Sequence, residues 1–401
     1  MKVLVLGAGV VGVTTAWYLA RAGHTVAVID RQPQPAGETS YANAGLLTPS
    51  DALSWAAPGA PVRFAKSLMH PEWGVRVVPT ARPSDWAWYG RFLTQCPGPR
   101  HRANSETKLT LARRSLALLE ELIAETGLAF DHARRGVAYV YESEASLRHA
   151  YAAFGVLRDL GWTLHQLDRA ALLDLEPAFA RGSGPIAGAI YSPDCQTGDC
   201  RLFTQALAGL CRATGRVTFH MGESVTALTV TAGRATGATT DKGRHEADAV
   251  VLSLGCQSRD IGAAVGLDVP ILPVKGYSVT YRIKDASGAP TLGGANEDRF
   301  IAFSRLGDRL RLACKAEFGG RGLTGTAKDF AMLTEGVEQM FPGVVDHATA
   351  DFAARTRPMT PSSAPLLGAS GLDGLIYNTG HGHLGWTLAC ASAERVVEAL
   401  A

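Results

Sequence analysis

Three stretches of the 401-residue chain carry residue types at spacings that chemistry can use. Gly7, Gly9 and Gly12 form the pattern G-x-G-x-x-G, and Asp30 follows. In a nucleotide cradle the first glycine permits a tight turn, the second lets backbone approach a pyrophosphate, and the third lets a helix pack close on a strand. An acid placed like Asp30 accepts hydrogen bonds from ribose hydroxyls. Near the other end, Thr379-Gly380-His381-Gly382-His383-Leu384-Gly385-Trp386-Thr387 is a second glycine-rich turn opening a helix. Its N–H groups and dipole can stabilise negative charge. Just before it, Thr356-Arg357-Pro358-Met359-Thr360-Pro361 holds a rigid, proline-flanked arginine.

The elements that must position these groups are readable around them. Val3 to Leu6 is a short apolar run of the kind that forms a buried parallel strand. The pattern predicts a helix over Val10 to Ala22, punctuated by Gly23, and a strand over Thr25 to Ile29 that closes on Asp30. Strand, glycine turn, helix, strand and acid make a dinucleotide-binding unit; a glycine-rich turn with no ligand is the plain alternative. Arg31 either meets a 2′-phosphate or is a solvated arginine. The loop Glu38-Thr39-Ser40-Tyr41-Ala42-Asn43-Ala44-Gly45 is small and hydroxylated. It can bring N–H groups and hydroxyls against a phosphate or a flat ring, or it is a surface loop.

Further along, helices are expected over 104–126, 144–160, 168–175 and 199–214. Strands are expected over 136–141, 187–191, 217–220, 225–230, 237–240 and 247–254. The last runs into Ser253-Leu254-Gly255, a small-residue ending typical of the carboxyl edge of a sheet beside a bound dinucleotide. Strands over 276–284, 300–306 and 309–316 have period-two patterning and, with a helix over 327–341, predict the antiparallel sheet of a second domain. Residues 51–105 hold Trp55, Trp73, Trp86 and Trp88 among many prolines and read as a loop-rich insertion. Aromatics beside Arg63, Lys66, Arg76 and Arg91 suit a membrane interface or a quinone, and aromatic packing is the simpler reading.

A composition of 46% hydrophobic and 19% charged residues is that of a globular chain with two substantial cores. With a formal charge of +2 and no dense basic run, nothing argues for nucleic acid. The first strand starts at Lys2, leaving no room for a signal peptide, and no apolar run is long enough to span a bilayer. A cytoplasmic location is therefore expected, with the seven cysteines reduced. Cys195 and Cys200 do not have zinc half-site spacing and no histidine cluster completes one, so no metal site is expected.

Taken in order, the first unit, the 38–45 loop, Thr197-Gly198-Asp199-Cys200, Pro273-Val274-Lys275-Gly276-Tyr277-Ser278, Arg357-Pro358-Met359-Thr360-Pro361 and the stretch Asn378 to Thr387 resemble bacterial FAD-dependent D-amino acid dehydrogenases. These sit within the D-amino acid oxidase and glycine oxidase group of flavoproteins. The resemblance runs end to end. It implies an α/β fold: a Rossmann-like FAD-binding domain, discontinuous in sequence (1–50, 185–265 and 345–401), and an α+β substrate domain on an antiparallel sheet (51–184 and 266–344). It implies cofactor contacts at Gly7, Gly9, Val10, Val11, Gly12, Asp30 and Arg31, and along Thr39, Ser40, Asn43, Ala44, Gly45 and Leu46. Val225 and Gly255 would flank the adenine side and the sheet edge. Gly380, Gly382, His383, Leu384, Gly385, Trp386 and Thr387 would meet the flavin. Arg357 matches the arginine that anchors the substrate carboxylate, and Tyr277 is a second candidate for that pocket. The sequence departs from the family at Ser362-Ser363, where Asp-Gly is usual.

The reaction so implied is oxidative deamination of a D-amino acid to a 2-oxo acid and ammonia, by hydride transfer from Cα to FAD N5. Electrons would pass to a respiratory quinone or another acceptor, with peripheral contact at the inner face of the cell membrane. His383 is either a base or donor beside the flavin or a histidine that holds the loop. Three alternatives stay open at this point: a flavoenzyme of secondary amines such as D-hydroxyproline, D-proline or sarcosine, a nicotinamide-dependent dehydrogenase, and a flavin-binding protein without catalysis.

Overall fold

The structure, a computed structural model, describes residues 1–69 and 74–401; Trp73 lies outside the described residues. Its first strand, Lys2–Leu6, shows how the sequence builds two layers at once. Val3 and Val5 point into one apolar cluster, while Leu4 and Leu6 point into another. Alternate side chains of a strand face opposite sides, so an unbroken apolar run is what a strand covered on both faces requires. It pairs in parallel with Thr25–Asp30 on one side and Ala249–Leu252 on the other. The full sheet runs Leu366–Ala369, Leu375–Thr379, Ala249–Leu252, Lys2–Leu6, Thr25–Asp30, Val217–Met221, parallel except for the first of these. Helices Val10–Arg21, Cys200–Ala213 and Gly385–Leu400 cover one face with Val13, Phe203, Leu207, Trp386 and Cys390. A three-stranded antiparallel sheet, Val225–Thr231, Arg234–Thr240 and Arg244–Glu246, covers the other with Leu228 and Ala238.

The second sheet is larger. Its order is Val345–Met359, Leu272–Ile283, Arg309–Phe318, Ile301–Leu306, Gly293–Asn296, Val137–Tyr141, Gly188–Ser192, His165–Asp168, and Val75–Val77 pairs with Arg309–Phe318. The expected antiparallel sheet is thus mixed: Gly293–Asn296 runs parallel to Val137–Tyr141, and Val75–Val77 parallel to Arg309–Phe318. Helix Ala327–Met340 packs on one face through Phe330, Leu333 and Val337.

Other expectations shift. Val345–Met359, placed by sequence with the nucleotide domain, pairs along its length with Leu272–Ile283 in the second sheet, and Gly188–Ser192 joins that sheet too. The chain therefore changes sheets nearer 195 and 360 than 185 and 345. The 51–105 stretch is not loop-rich; it contains helices Ala60–Met69 and Pro83–Gln95. Trp88, Phe92, Phe64 and Phe318 pack there as an aromatic cluster, so apolar stacking holds what periodicity did not announce. The helix expected from 104 starts at Gly98, with Pro99 in its first turn where the missing N–H costs nothing. The helix expected over 144–160 is two, Glu144–Ala153 and Gly155–Asp159. Among the described residues no helix is long and apolar enough to cross a membrane.

Candidate active site

A cavity of about 990 Å³ is lined by residues of both sheets. At one end it is lined by Gly7, Gly9, Val10, Val11, Asp30 and Arg31, and at the other by Tyr277, Arg357 and His383. The first end is built by close approach of backbone. Gly7 sits at φ +106°, and a Cβ there would lie 2.5 Å from the Ser253 carbonyl oxygen; a Cβ on Gly12 would lie 1.9 Å from that of Gly7. Any side chain would push the helix off the sheet. Asp30 receives the Ala8 N–H at 2.7 Å on one carboxylate oxygen and the Gln32 N–H at 2.8 Å on the other. Each oxygen keeps a lone pair for a hydroxyl. Burial raises its pKa, and the two N–H donors oppose that. Arg31 is paired with Glu38, so its charge is already engaged at the cavity mouth.

The hydroxylated loop crosses from one sheet to the other. Ser40 caps the first helix by accepting the Val10 N–H at 3.0 Å. Thr39 donates to the Thr356 carbonyl at 2.8 Å, and the carbonyls of Ala42 and Ala44 accept from Ser278 and Ser304 in the second sheet. Leu46–Leu47 then pairs with Gln196–Thr197. Glycine backbone, a half-buried carboxylate and a pinned hydroxyl loop fit the ADP half and pyrophosphate of FAD, and the volume of the cavity leaves room for a ring system as well.

The far end is organised by a bulge. The register between Leu272–Ile283 and Arg309–Phe318 slips between Lys275 and Tyr277, and Lys315 sits there at φ +61°. This turns the Lys315 carbonyl toward Arg357, whose Nη1 donates to it at 3.1 Å. The guanidinium lies over Gly276, where a Cβ would come within 2.5 Å of Nη1. Its surroundings take Arg357 out of bulk water and lower its pKa, though a guanidinium stays charged. Among the described residues it has no carboxylate partner. Tyr277 donates its hydroxyl to Glu317 at 3.0 Å, and burial together with that carboxylate raises its pKa.

His383 stacks on Trp55, with ring centroids 4.6 Å apart and planes at 16°. Its Nε2 lies 3.1 Å from the Asp51 carbonyl, which can only accept, so Nε2 carries the proton. Nδ1 is buried with no partner and presents a lone pair. Burial, with Lys108 nearby, holds the pKa far below the usual histidine range, so the ring is neutral. Below it, Asp51 accepts from Thr48 and Tyr139, and burial pushes its pKa up. Lys108 is fully buried, donates to the Leu53 carbonyl, and is pulled by burial to about 7.

Thr39, Ser40, Asn43, Ala44, Leu46, Val225, Gly255, Gly380, Gly382, Gly385 and Trp386 also line the cavity. Gly12, Gly45, Leu384 and Thr387 do not. Gly12 packs on Gly7, and Gly45 turns the loop at φ +72°. Leu384 packs with Ala112 and Leu388, and Thr387 accepts the Thr48 N–H. His381 also lines the cavity; its ring is hydrogen-bonded to Ser392 and buried, with its pKa pulled down to about 3. Trp55, Asp51, Lys108 and Lys315 were not foreseen. Lys108 left a trace, being one turn before Ala112 and next to Leu109 on the buried face of the helix; the Lys315 bulge left none.

The ordered motifs agree with comparison to known proteins. The DAO family, described as FAD dependent oxidoreductase, matches residues 2–399. The chain is similar to D-amino acid dehydrogenase 2 of Mesorhizobium japonicum, at 41% identity over 100% of this chain and 96% of that protein. It is similar to the D-amino acid dehydrogenase of Methylobacterium nodulans, at 40% identity over 99% of this chain and 94% of that one. Among solved structures it resembles a glycine oxidase from Bacillus cereus, with a TM-score of 0.75, 20% identity, and 99% and 94% of the two chains covered. That last likeness is one of fold.

Proposed function

The chain belongs to the family of FAD-dependent oxidoreductases, and we propose that it oxidatively deaminates D-amino acids to 2-oxo acids and ammonia. The observation that carries this reading is Arg357, a charged guanidinium with no carboxylate partner among the described residues, on the wall of the cavity that begins at the nucleotide cradle. The relatives' names supply the amino acid and its hand. Membership of the family removes the nicotinamide-dependent alternative.

FAD supplies the two-electron oxidant when bound. The protein's own residues bind and orient. Arg357, held by the Lys315 carbonyl and seated over Gly276, takes the substrate carboxylate in a charge-assisted, two-pronged contact. Tyr277, already donating to Glu317, lines the same pocket as a positioning group. His383 is neutral and too weakly basic to take an ammonium proton; its free Nδ1 accepts a hydrogen bond and its stack on Trp55 fixes the ring. The ammonium proton therefore leaves to solvent. Loss of two electrons and two protons from the Cα–N unit gives an imino acid. Water adds to it, and 2-oxo acid and ammonia follow.

The electrons pass on to a respiratory quinone, with peripheral docking at the inner face of the membrane. What supports this is the exposed side of helices Ala60–Met69 and Pro83–Gln95, where Val62 and Trp86 are each 60% exposed, near in sequence to Arg63, Lys66 and Arg82. Phe300 and Leu323 are exposed and line the cavity.

The test is anaerobic bleaching of the bound flavin by a panel of D-amino acids, their L-enantiomers, D-proline and sarcosine. Bleaching by primary D-amino acids and not by L-forms is expected. Bleaching by secondary amines alone, or by nothing on the panel, would overturn the assignment. A quinone analogue should then restore the oxidised spectrum faster than air does.

A further inference from the structure

We propose that His220, Glu223 and His245 form a binding site for one divalent transition-metal cation of the zinc type, at the outer edge of the parallel sheet. The three come from different elements. His220 is on the edge strand Val217–Met221, Glu223 follows the turn at Gly222, and His245 is on Arg244–Glu246 of the small covering sheet. One nitrogen from each imidazole and one carboxylate oxygen lie within 4.8 Å of one another.

The carboxylate is fixed before any ion arrives. The Gly222 N–H donates to the Gln32 carbonyl at 2.9 Å and the Glu223 N–H to the Asp30 carbonyl at 3.0 Å, which nail the turn to the sheet. The Glu223 side chain is only 8% exposed. Its Oε1 accepts from the Thr240 hydroxyl at 2.5 Å and from His245 Nε2 at 2.6 Å. Burial alone would raise its pKa, but those two contacts outweigh it and the group is held below the usual range, hence ionised. The Thr240 contact, which stays outside the site, is of the kind that orients a metal-binding carboxylate.

The remaining oxygen is what points to an ion. Glu223 Oε2 and His220 Nδ1 are 3.9 Å apart, and neither has a hydrogen-bond partner among the described residues. That gap is too long for a hydrogen bond. It suits two ligands sharing one ion, since bonds of about 2.0–2.2 Å place their donor atoms roughly 3.4–4.2 Å apart across tetrahedral to wider angles. The imidazole rings already lie together, edge to face, with centroids 4.7 Å apart and planes at 65°. Moving the His245 proton from Nε2 to Nδ1 frees the third lone pair; the ion then takes the place of the hydrogen bond to Glu223, and the ring draws back from Oε1 to admit it. A hydrogen-bonded His–Glu staple explains His245 and Thr240 but leaves His220 facing Oε2 for no purpose. Two nitrogens and one carboxylate favour zinc, cobalt, nickel or copper over magnesium or calcium, and both half-exposed histidines leave room for water as a fourth ligand.

The test uses untagged holoenzyme stripped with a chelator and titrated calorimetrically with zinc chloride. One zinc per chain is expected, with affinity lowered at least about tenfold in His220→Ala and in His245→Ala. The flavin spectrum reports that each variant is folded. His220→Ala removes a side chain with no hydrogen bond, so it decides the matter even if His245→Ala does not fold. Copper bound to wild-type holoenzyme should show electron-spin coupling to two imidazole nitrogens, and to one fewer in His220→Ala. No saturable uptake by folded wild-type holoenzyme, or uptake unchanged in His220→Ala, would overturn the site.

Discussion

Arg357 is half-buried and charged, with no carboxylate partner among the described residues, and a protein carries such a group at a cost unless an anion meets it. Arg357→Ala should therefore raise the KM for D-alanine by about 100-fold or more while the flavin spectrum is unchanged, because a charge-assisted pair in a sheltered site is worth about 3 kcal/mol. Unchanged steady-state kinetics would remove the carboxylate role. Gly276→Ala tests the same seat from below. A methyl group there displaces the guanidinium, so KM should rise with the protein still folded and yellow. The sequence pointed to Arg357 through its proline-flanked motif and the ordered resemblance. It could not show that the arginine has no carboxylate partner among the described residues, because the groups around it, Gly276 and Lys315, lie in other strands and meet it only by register. Ser363 is a similar case. It sits at φ +64°, a conformation glycine adopts without strain, and its hydroxyl accepts the Trp55 N–H at 3.1 Å. The Ser-Ser departure from Asp-Gly thus keeps the turn and adds a tether to the residue that stacks on His383.

At the scale of elements, legibility followed burial pattern. Lys2–Leu6 and Ala249–Leu252 are continuous apolar runs, and their place was plain. The strand Val345–Met359 was hidden because its outer half is exposed and carries Asp346, His347, Asp351 and the half-buried Arg355; only its pairing with Leu272–Ile283 makes it a strand. The terminal helix was legible from its glycine turn, but the partner of His381 was not. His381 is neutral in the fold, bound to Ser392 on that helix and 3% exposed. Its pKa falls from the ordinary 6.5 to about 3. Between those values the unfolded chain takes up a proton that the folded chain does not, so the native state is favoured fully above pH 6.5 and loses ground as pH falls toward 3. The slope from this group is about 1.4 kcal/mol per pH unit. Other buried histidines add their own slopes. Denaturant unfolding between pH 6.5 and 4.5 should thus become shallower by one proton in His381→Asn. An identical slope in the two proteins would show that His381 is not sheltered as described.

On the scale of the whole molecule, one cavity is walled by two separate cores, with Gly7 and Asp30 on the parallel sheet and Ala313, Lys315 and Arg357 on the other. A dinucleotide long enough to fill it touches both and acts as a tie between them. The sequence disclosed the two walls as separate motifs, and it gave no sign of their facing each other, since that depends on how the 38–45 loop is pinned across by Ser278 and Ser304. Binding that requires the folded state stabilises it by mass action, by about 2.7 kcal/mol when free FAD is 100 times its dissociation constant. In the function proposed above, Asp30 anchors the end of the cradle that does no chemistry. Asp30→Ala should weaken FAD binding about tenfold, which removes about 1.4 kcal/mol of that stabilisation at a fixed FAD concentration. Because the same carboxylate also holds the Ala8 and Gln32 N–H groups, the apoprotein should lose some stability as well. The two effects separate experimentally. Melting of apoprotein reports the lost hydrogen bonds, and the FAD-dependent rise in melting temperature reports the cradle. With FAD saturating, kcat should match the wild type, since Arg357 and His383 stand at the other end of the cavity on different strands and turns. A fall in kcat with the flavin fully bound would mean that the two ends are coupled through the loop, whereas an unchanged FAD affinity would remove Asp30 from the cradle.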